Sequence, residues 1–326
     1  MSTNCRGSDE SGLLPEACEL AGITWATWLL DDPRYLLKPD EFEGTGRNRL
    51  GFCWDRNGID GWRDSGFQNA HLLPLATNEK LFSPGEGIDG LTARIVFVGS
   101  PRFASGFGFF AGLDGSDAAM IISNVLEEDI LNERRSPTDE VIKDLLETFD
   151  GEKTLDIEAR RRLPAFAIQQ ANLAYRVKYL NSLAELKPVV FGTGWEGMLD
   201  ERIELRAPLD FYTELPRLYK TDAVHISLTN LQMRSHPNQR PFDVGACGRA
   251  VLNDRLESLP DLFGKELCSE MTFESRQELF EKAVSLVGDQ GKRLELGERL
   301  RENVLGRHTI RHRVDEILRV CRSEAQ

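Results

Sequence analysis

Short apolar runs that stop abruptly at turn residues recur along this chain, and they leave few folds open to it. Ala93 to Val98 is the clearest, ending at Gly99-Ser100-Pro101. Ile23 to Leu30 is β-branched and aromatic and ends at Asp31-Asp32-Pro33. There Pro33 stops any helix and biases Asp32 toward extended geometry. Leu50 to Trp54, Ala70 to Pro74, Pro188 to Phe191, Ala223 to Leu228, Ala250 to Leu252 and a segment near Leu267 to Met271 read the same way. Brief apolar runs with a turn at their C-terminal end are the pattern of buried parallel strands.

Helical segments alternate with these runs. Ser136-Pro137-Thr138-Asp139 is a helix start, with Ser as cap and Pro at the first helical position. Val141, Leu145 and Phe149 then share a face. Residues 156–185 are mainly helical, with a break expected at Pro164, and Asp210 to Lys220 is a helix with a kink or late start at Pro216. Pro241 to Cys247 is a helix ending at Gly248. Ser275 to Glu278 has capping-box spacing, and Phe280, Ala283, Val284 and Val287 follow at helical intervals. Val314, Ile317, Leu318 and Cys321 repeat the pattern near the C-terminus. Strands alternating with helices imply right-handed βαβ units and an open parallel sheet. The expected class is α/β, with two Rossmann-type halves facing a cleft. The first half is residues 1–185, with a helical connector over 136–185, and the second is residues 186–326. Open sheets of this kind bind ligands at the C-terminal ends of their strands.

Charge narrows the partners. The chain of 326 residues carries a net charge of −13, so it repels phosphate backbones, and nucleic acid is excluded as the main partner. An anionic ligand must be held by a local arrangement of Arg, amide N–H groups and a helix N-terminus. No apolar run approaches the ~18 residues of a membrane span, and Met1 to Glu19 lacks the pattern of a secretory signal. The six cysteines are dispersed without zinc-site spacing. That suits a reducing compartment, so the expected location is the cytoplasm and no metal is expected.

Three segments carry candidate chemistry. In Ser235-His236-Pro237-Asn238-Gln239-Arg240-Pro241-Phe242-Asp243, a helix start offers free N–H groups to phosphate. Arg240 adds a bidentate charge, and Asp243 is an acceptor suited to the two hydroxyls of a ribose. His236 stands in the loop before the helix. An ordinary crossover in which Arg240 and Asp243 pair with each other fits the same string. The second segment, Phe191-Gly192-Thr193-Gly194-Trp195-Glu196-Gly197, has G-x-G-x-x-G spacing after a strand, which lets backbone approach a diphosphate. A nicotinamide reading lacks its context, because Pro208 cuts the following helix short and the next strand ends without an acidic residue. In the third, Asp32 at a strand end is either a general base or part of a solvated turn. His308 and His312, four apart, read as a solvent-facing pair, and His225 as a core histidine.

The strings NQRPFDVGACGRAVLND, LPDLF and HTIRHRVDEIL resemble the CgeB-like (spore maturation protein) glycosyltransferases, which are group 1 glycosyltransferase-like proteins of GT-B fold. TWATWLLDDPRYLL, HLLPLATNEKLF and IVFVGS are similar to the N-terminal domain of that family. The resemblance implies sugar transfer from a nucleotide-sugar donor to a glycan, protein or small-molecule acceptor, without a divalent metal. It implies a donor-binding set of Gly192, Thr193, Gly194, Trp195, His236, Asn238, Arg240, Phe242, Asp243 and Gly248. In it Asp243 holds the ribose, and Arg240 neutralises the diphosphate leaving group. Asp32 is then the expected base. Two departures stand out. Ser235 occupies the position, eight before Asp243, where related enzymes carry a second acid. Only about twenty residues precede the first strand, so a shortened N-terminal domain is expected. A non-catalytic nucleotide-sugar-binding or scaffolding protein is the alternative.

Overall fold

The computed structural model describes residues 2–3, 13–31, 49–67, 69–101, 110–113, 115–133, 139–149 and 155–324. Within them the apolar runs build two parallel sheets. The first has the order β1 (Ser2–Thr3), β2 (Trp25–Leu29), β3 (Arg49–Cys53) and β4 (Asn69–Leu72). Successive side chains of a strand point to opposite faces, and the apolar residues divide accordingly. Ala26, Trp28, Leu50 and Phe52 join the main core, while Trp25, Leu29 and Cys53 meet Trp62 and Phe67 on the other face.

The second sheet has six strands: β5 (Ile95–Val98), β6 (Val189–Phe191), β7 (Glu204–Arg206), β8 (Val224–Ser227), β9 (Val251–Asp254) and β10 (Thr272–Phe273). Their spatial order is β10-β9-β8-β5-β6-β7, with every neighbouring pair parallel. Counted from β5, the chain steps outward to β7, then returns to β8 on the other side and steps outward again. This is the 3-2-1-4-5-6 order of a doubly wound fold, whose ligand crevice opens where the order reverses, here between β5 and β8.

The topology corrects the expected division near residue 186. β5 lies at the centre of the second sheet, although the apolar run that forms it stands well inside the first half of the chain. The last helix, Ile310–Glu324, returns to the first sheet, where Arg313 donates to Pro74 O (2.6 Å) and Leu75 O (3.0 Å) and Thr77 pairs with Thr309. An apolar run specifies a strand, but not the neighbour it pairs with.

Several local expectations also change. The helix Ile157–Asn181 runs through Pro164 without a break, capped by Asp156 accepting from Ala159 N (2.7 Å). Burial of Leu163, Phe166, Ala167 and Ala171 offsets the hydrogen bond that proline removes. Lys265–Met271 is a helix, not a strand, and only Thr272–Phe273 after it joins the sheet. The helix at Pro216 starts late, spanning Leu215–Lys220 with proline in its first turn. The Ser136 helix start lies outside the described residues.

Candidate functional site

The C-terminal ends of β5 and β6 form the floor of the crevice. Each is followed by a glycine turn, and the turns press together. A Cβ on Gly192 would lie 2.2 Å from Gly99 O, so only glycine permits this approach. Trp195 locks the pair, donating from Nε1 to Gly99 O (2.8 Å) and meeting Phe97 edge to face. Thr193 and Gly194 remain exposed at the rim.

Two guanidinium groups converge on this floor. Arg240 donates to Val98 O at the end of β5 and lies over the Phe97 ring, 5.1 Å from its centroid. Asn238 Oδ1 accepts from Arg240 N (2.8 Å) and from Ser227 Oγ (3.2 Å), which ties the start of the helix Arg240–Ala246 to the end of β8. Arg176, on the helix Ile157–Asn181, donates to Ser100 O (2.6 Å), and its Nε is buried with no partner among the described residues. Burial, and then the neighbouring charge of Arg240, lowers the Arg176 pKa to about 9. Among the described residues neither arginine forms an ion pair with a carboxylate. Asp254 acts on Arg176 and Asp243 on Arg240 only at longer range, so two neighbouring cations bonded to main-chain carbonyls rather than to carboxylates suit an anionic ligand.

The first sheet closes the other side of the crevice. Asp31, just beyond β2, accepts from Gln232 Nε2 (3.4 Å). Asp55, just beyond β3, is 3% exposed and accepts from Arg234 N, Ser235 N and His236 N at 2.8–3.0 Å. Arg56 pairs with Glu257 at 3.1 Å. The strand ends of the two sheets therefore face each other, the arrangement that the GT-B resemblance implies.

The expected residues divide into two groups. Gly192, Thr193, Gly194, Asn238 and Arg240 gather at the crevice. The other expected donor residues are committed to structure. Trp195 is 1% exposed and fastens the two turns. Phe242 is fully buried, stacked on Phe263 and tilted against His308. Gly248 ends its helix at φ +71, with its carbonyl against Gly297. His236 is 3% exposed, with Nδ1 2.8 Å from Ser235 Oγ, and burial lowers its pKa to about 4. Asp243 is 2% exposed and accepts from Thr77 Oγ1 (2.8 Å), and burial pushes its pKa up to about 8. It presents no free carboxylate to a ribose in this structure. Asp32 lies outside the described residues.

His308 is not solvent-facing as expected. It is buried between Leu262 O (2.8 Å from Nε2) and Arg313 Nη2 (2.8 Å from Nδ1), and burial lowers its pKa to about 4. Arg313 can only donate, so Nδ1 accepts and the ring is the neutral Nε2–H tautomer. His225 is a core histidine, also lowered to about 4 by burial.

Two residues of the site escape the sequence reading. Arg176 sits in a helix that reads as generic, yet Gln169, Asn172 and Arg176 repeat at helical spacing among apolar neighbours. That polar stripe on an otherwise apolar helix is the signal for it. Asp55 follows a strand as Asp31 and Asp32 do, and the same strand-end rule applies to it.

Residues 170–319 match the family model described as Glycosyl transferase-like. The match covers a little under half of the chain, 150 of its 326 residues. It contains Arg176, the Gly192 turn, the Asp55-bound loop and Arg240. Solved structures similar to the chain include the Anabaena protein HepE in complex with UDP-glucose (11% identity over 97% of this chain and 77% of that one, TM-score 0.49). A glycosyltransferase from Rickettsia africae is 11% identical over 97% of this chain and 81% of its own, with a TM-score of 0.47. Sucrose-phosphate synthase from Thermosynechococcus elongatus is 15% identical over 94% and 70%, with a TM-score of 0.44. No curated protein sequence matches the chain. Among the described residues, no helix is long and apolar enough to cross a membrane, and no group of three His, Cys, Asp or Glu side chains is placed to hold a metal ion.

Proposed function

We propose that this protein is a glycosyltransferase, of CgeB-like and hexosyl type, that takes its sugar from a nucleotide-sugar donor bound between β5 and β8. The observation that carries the reading is the pair Arg240 and Arg176 at the end of β5, two guanidinium groups without a carboxylate partner among the described residues. They would neutralise the donor diphosphate, whose negative charge grows as the glycosidic bond breaks. Exposed backbone at Thr193 and Gly194 would lie along it. With arginines in this role, no divalent metal is needed. Asp32, which follows the first strand in the sequence, remains the proposed base for the acceptor hydroxyl. The five cysteines among the described residues are free thiols, which suits a cytoplasmic location.

Titration of the purified protein with a panel of nucleotide diphosphates and nucleotide sugars, with chelator present, tests the reading. One nucleotide should bind selectively, and Arg240→Ala should weaken it strongly. Asp32→Asn should keep donor affinity and abolish transfer, so retained turnover excludes Asp32 as the base. A second reading, donor binding without catalysis, draws on Asp243, whose carboxylate is engaged by Thr77. Selective binding with neither transfer to any acceptor nor donor hydrolysis favours it.

A further inference from the structure

A single carboxylate of the first sheet holds a loop of the second by its backbone. Asp55 Oδ2 accepts from three successive N–H groups, Arg234 (2.9 Å), Ser235 (2.8 Å) and His236 (3.0 Å). Its Oδ1 accepts from Ser235 Oγ (3.0 Å) and from Asn57 N (2.9 Å). Arg56 N adds a bond to Ser235 Oγ (3.1 Å). Consecutive amides converging on one oxygen form a nest, the backbone's own anion cradle. Buried bonds to a charged acceptor are stronger than neutral ones, because no water competes for the donors.

The loop held this way leads directly into the candidate site. Two residues past His236, Asn238 fixes Arg240 N and the end of β8 through one oxygen. Arg240 then reaches Val98 O at the end of β5. Thr77, beyond β4, separately holds Asp243 in the helix that Arg240 starts (2.8 Å), but two contacts nearer the 234–236 loop are weaker. Gln232 meets Asp31 at 3.4 Å, and the pair Arg56–Glu257 is mostly exposed. Loss of Asp55 alone would leave three successive amides of the loop without their acceptor.

We propose that Asp55 is a positioning residue: by clamping the 234–236 amides to the first sheet, it fixes Arg240 over the end of β5 and makes anion affinity depend on the joining of the two sheets. The proposal rests on the reading of that strand end as an anion site. It gives the first sheet a part in donor binding without any contact to the donor.

The test is a double-mutant cycle on the full chain, with inorganic pyrophosphate as the probe and calorimetry as the readout. Asp55→Asn keeps the side chain's size but removes the charge and one acceptor oxygen. It should weaken pyrophosphate about tenfold in the wild-type background, and by less than about twofold in Arg240→Ala, because groups that act through one another are non-additive. Equal losses in the two backgrounds, or an unchanged affinity, overturn the proposal. Hydrogen exchange separates its failure from failure of the anion reading. Amides 234–240 should exchange faster in Asp55→Asn while those of β9 stay protected, and unchanged exchange at 234–236 overturns the clamp. A wild-type protein that ignores pyrophosphate overturns the anion reading and the part of the proposal built on it. If Asp55→Asn fails to fold, Ser235→Ala removes one Asp55 contact and should weaken pyrophosphate in the same direction by a smaller factor. No loss there overturns the proposal.

Discussion

Arg240, Arg176 and Asp243 lie close together and meet burial differently. The arginines bond to strand-end carbonyls, which leaves their remaining donors able to take up an anion. Asp243 sits deeper, against Thr77, and burial raises its pKa to about 8. Its pKa is raised on folding, so the stability it contributes is complete below about pH 4 and is lost as the pH rises through 8. Between pH 6.5 and 8 the wild type should lose roughly 1 kcal/mol per pH unit from this group. Asp243→Asn should flatten that slope and leave the protein more stable at pH 8. Thermal melts of both proteins across this range check it, and parallel slopes would refute the assignment. Arg240 was legible in the sequence because a helix start after a strand is a local pattern. The bond from Thr77 to Asp243 was not, because Thr77 stands 166 positions away.

At the scale of elements, close packing explains residues that the motif reading assigned to a ligand. The helix Gln290–Arg307 lies against the end of the helix Arg240–Ala246 so tightly that a Cβ on Gly297 would come within 2.4 Å of Gly248 O. Gly297→Ala must therefore move backbone, and should destabilise the fold by about 1–3 kcal/mol. A chemical denaturation curve measures this, and a midpoint equal to that of the wild type would contradict it. The same scale explains why two helix faces were misjudged. In Ile310–Glu324 the buried residues are Arg313, Ile317 and Val320, while Val314 and Leu318 are 40% and 46% exposed. A buried arginine bound to carbonyls breaks the apolar pattern that periodicity relies on. In Arg276–Gly288 the cap at Ser275 was legible and is present, accepting from Glu278 N (3.1 Å), yet the buried face is Leu279, Ala283 and Leu286. The cap is a local signal, whereas the rotation of the helix depends on neighbours that the sequence does not name.

For the whole molecule, the two sheets and their alternating helices were visible in the runs and turns. The membership of β5 in the second sheet was not, because strand pairing is a long-range choice. The joined sheets also bury three histidines, His225, His236 and His308, with pKa values lowered to about 4 by burial. Unfolded chains take up these protons below about pH 6.5, the ordinary histidine value, and the fold does not until about pH 4. Their contribution is complete above pH 6.5 and is lost as the pH falls toward 4. Three such protons outweigh the opposite trend of Asp243 in that window. The melting temperature should therefore fall from pH 6.5 to pH 4.5, and a level profile would contradict the burial of these rings.

A donor anion held by Arg240 and Arg176 between β5 and β8 would depend on both guanidinium groups. Isothermal titration of nucleotide diphosphates into wild type, Arg240→Ala and Arg176→Ala, with chelator present, tests it most directly. Wild-type binding should be saturable without metal, with at least about a tenfold loss in each variant, the scale of one charge-assisted contact. Wild-type affinity retained in both variants, or no binding by a wild-type protein that melts cooperatively, would contradict it.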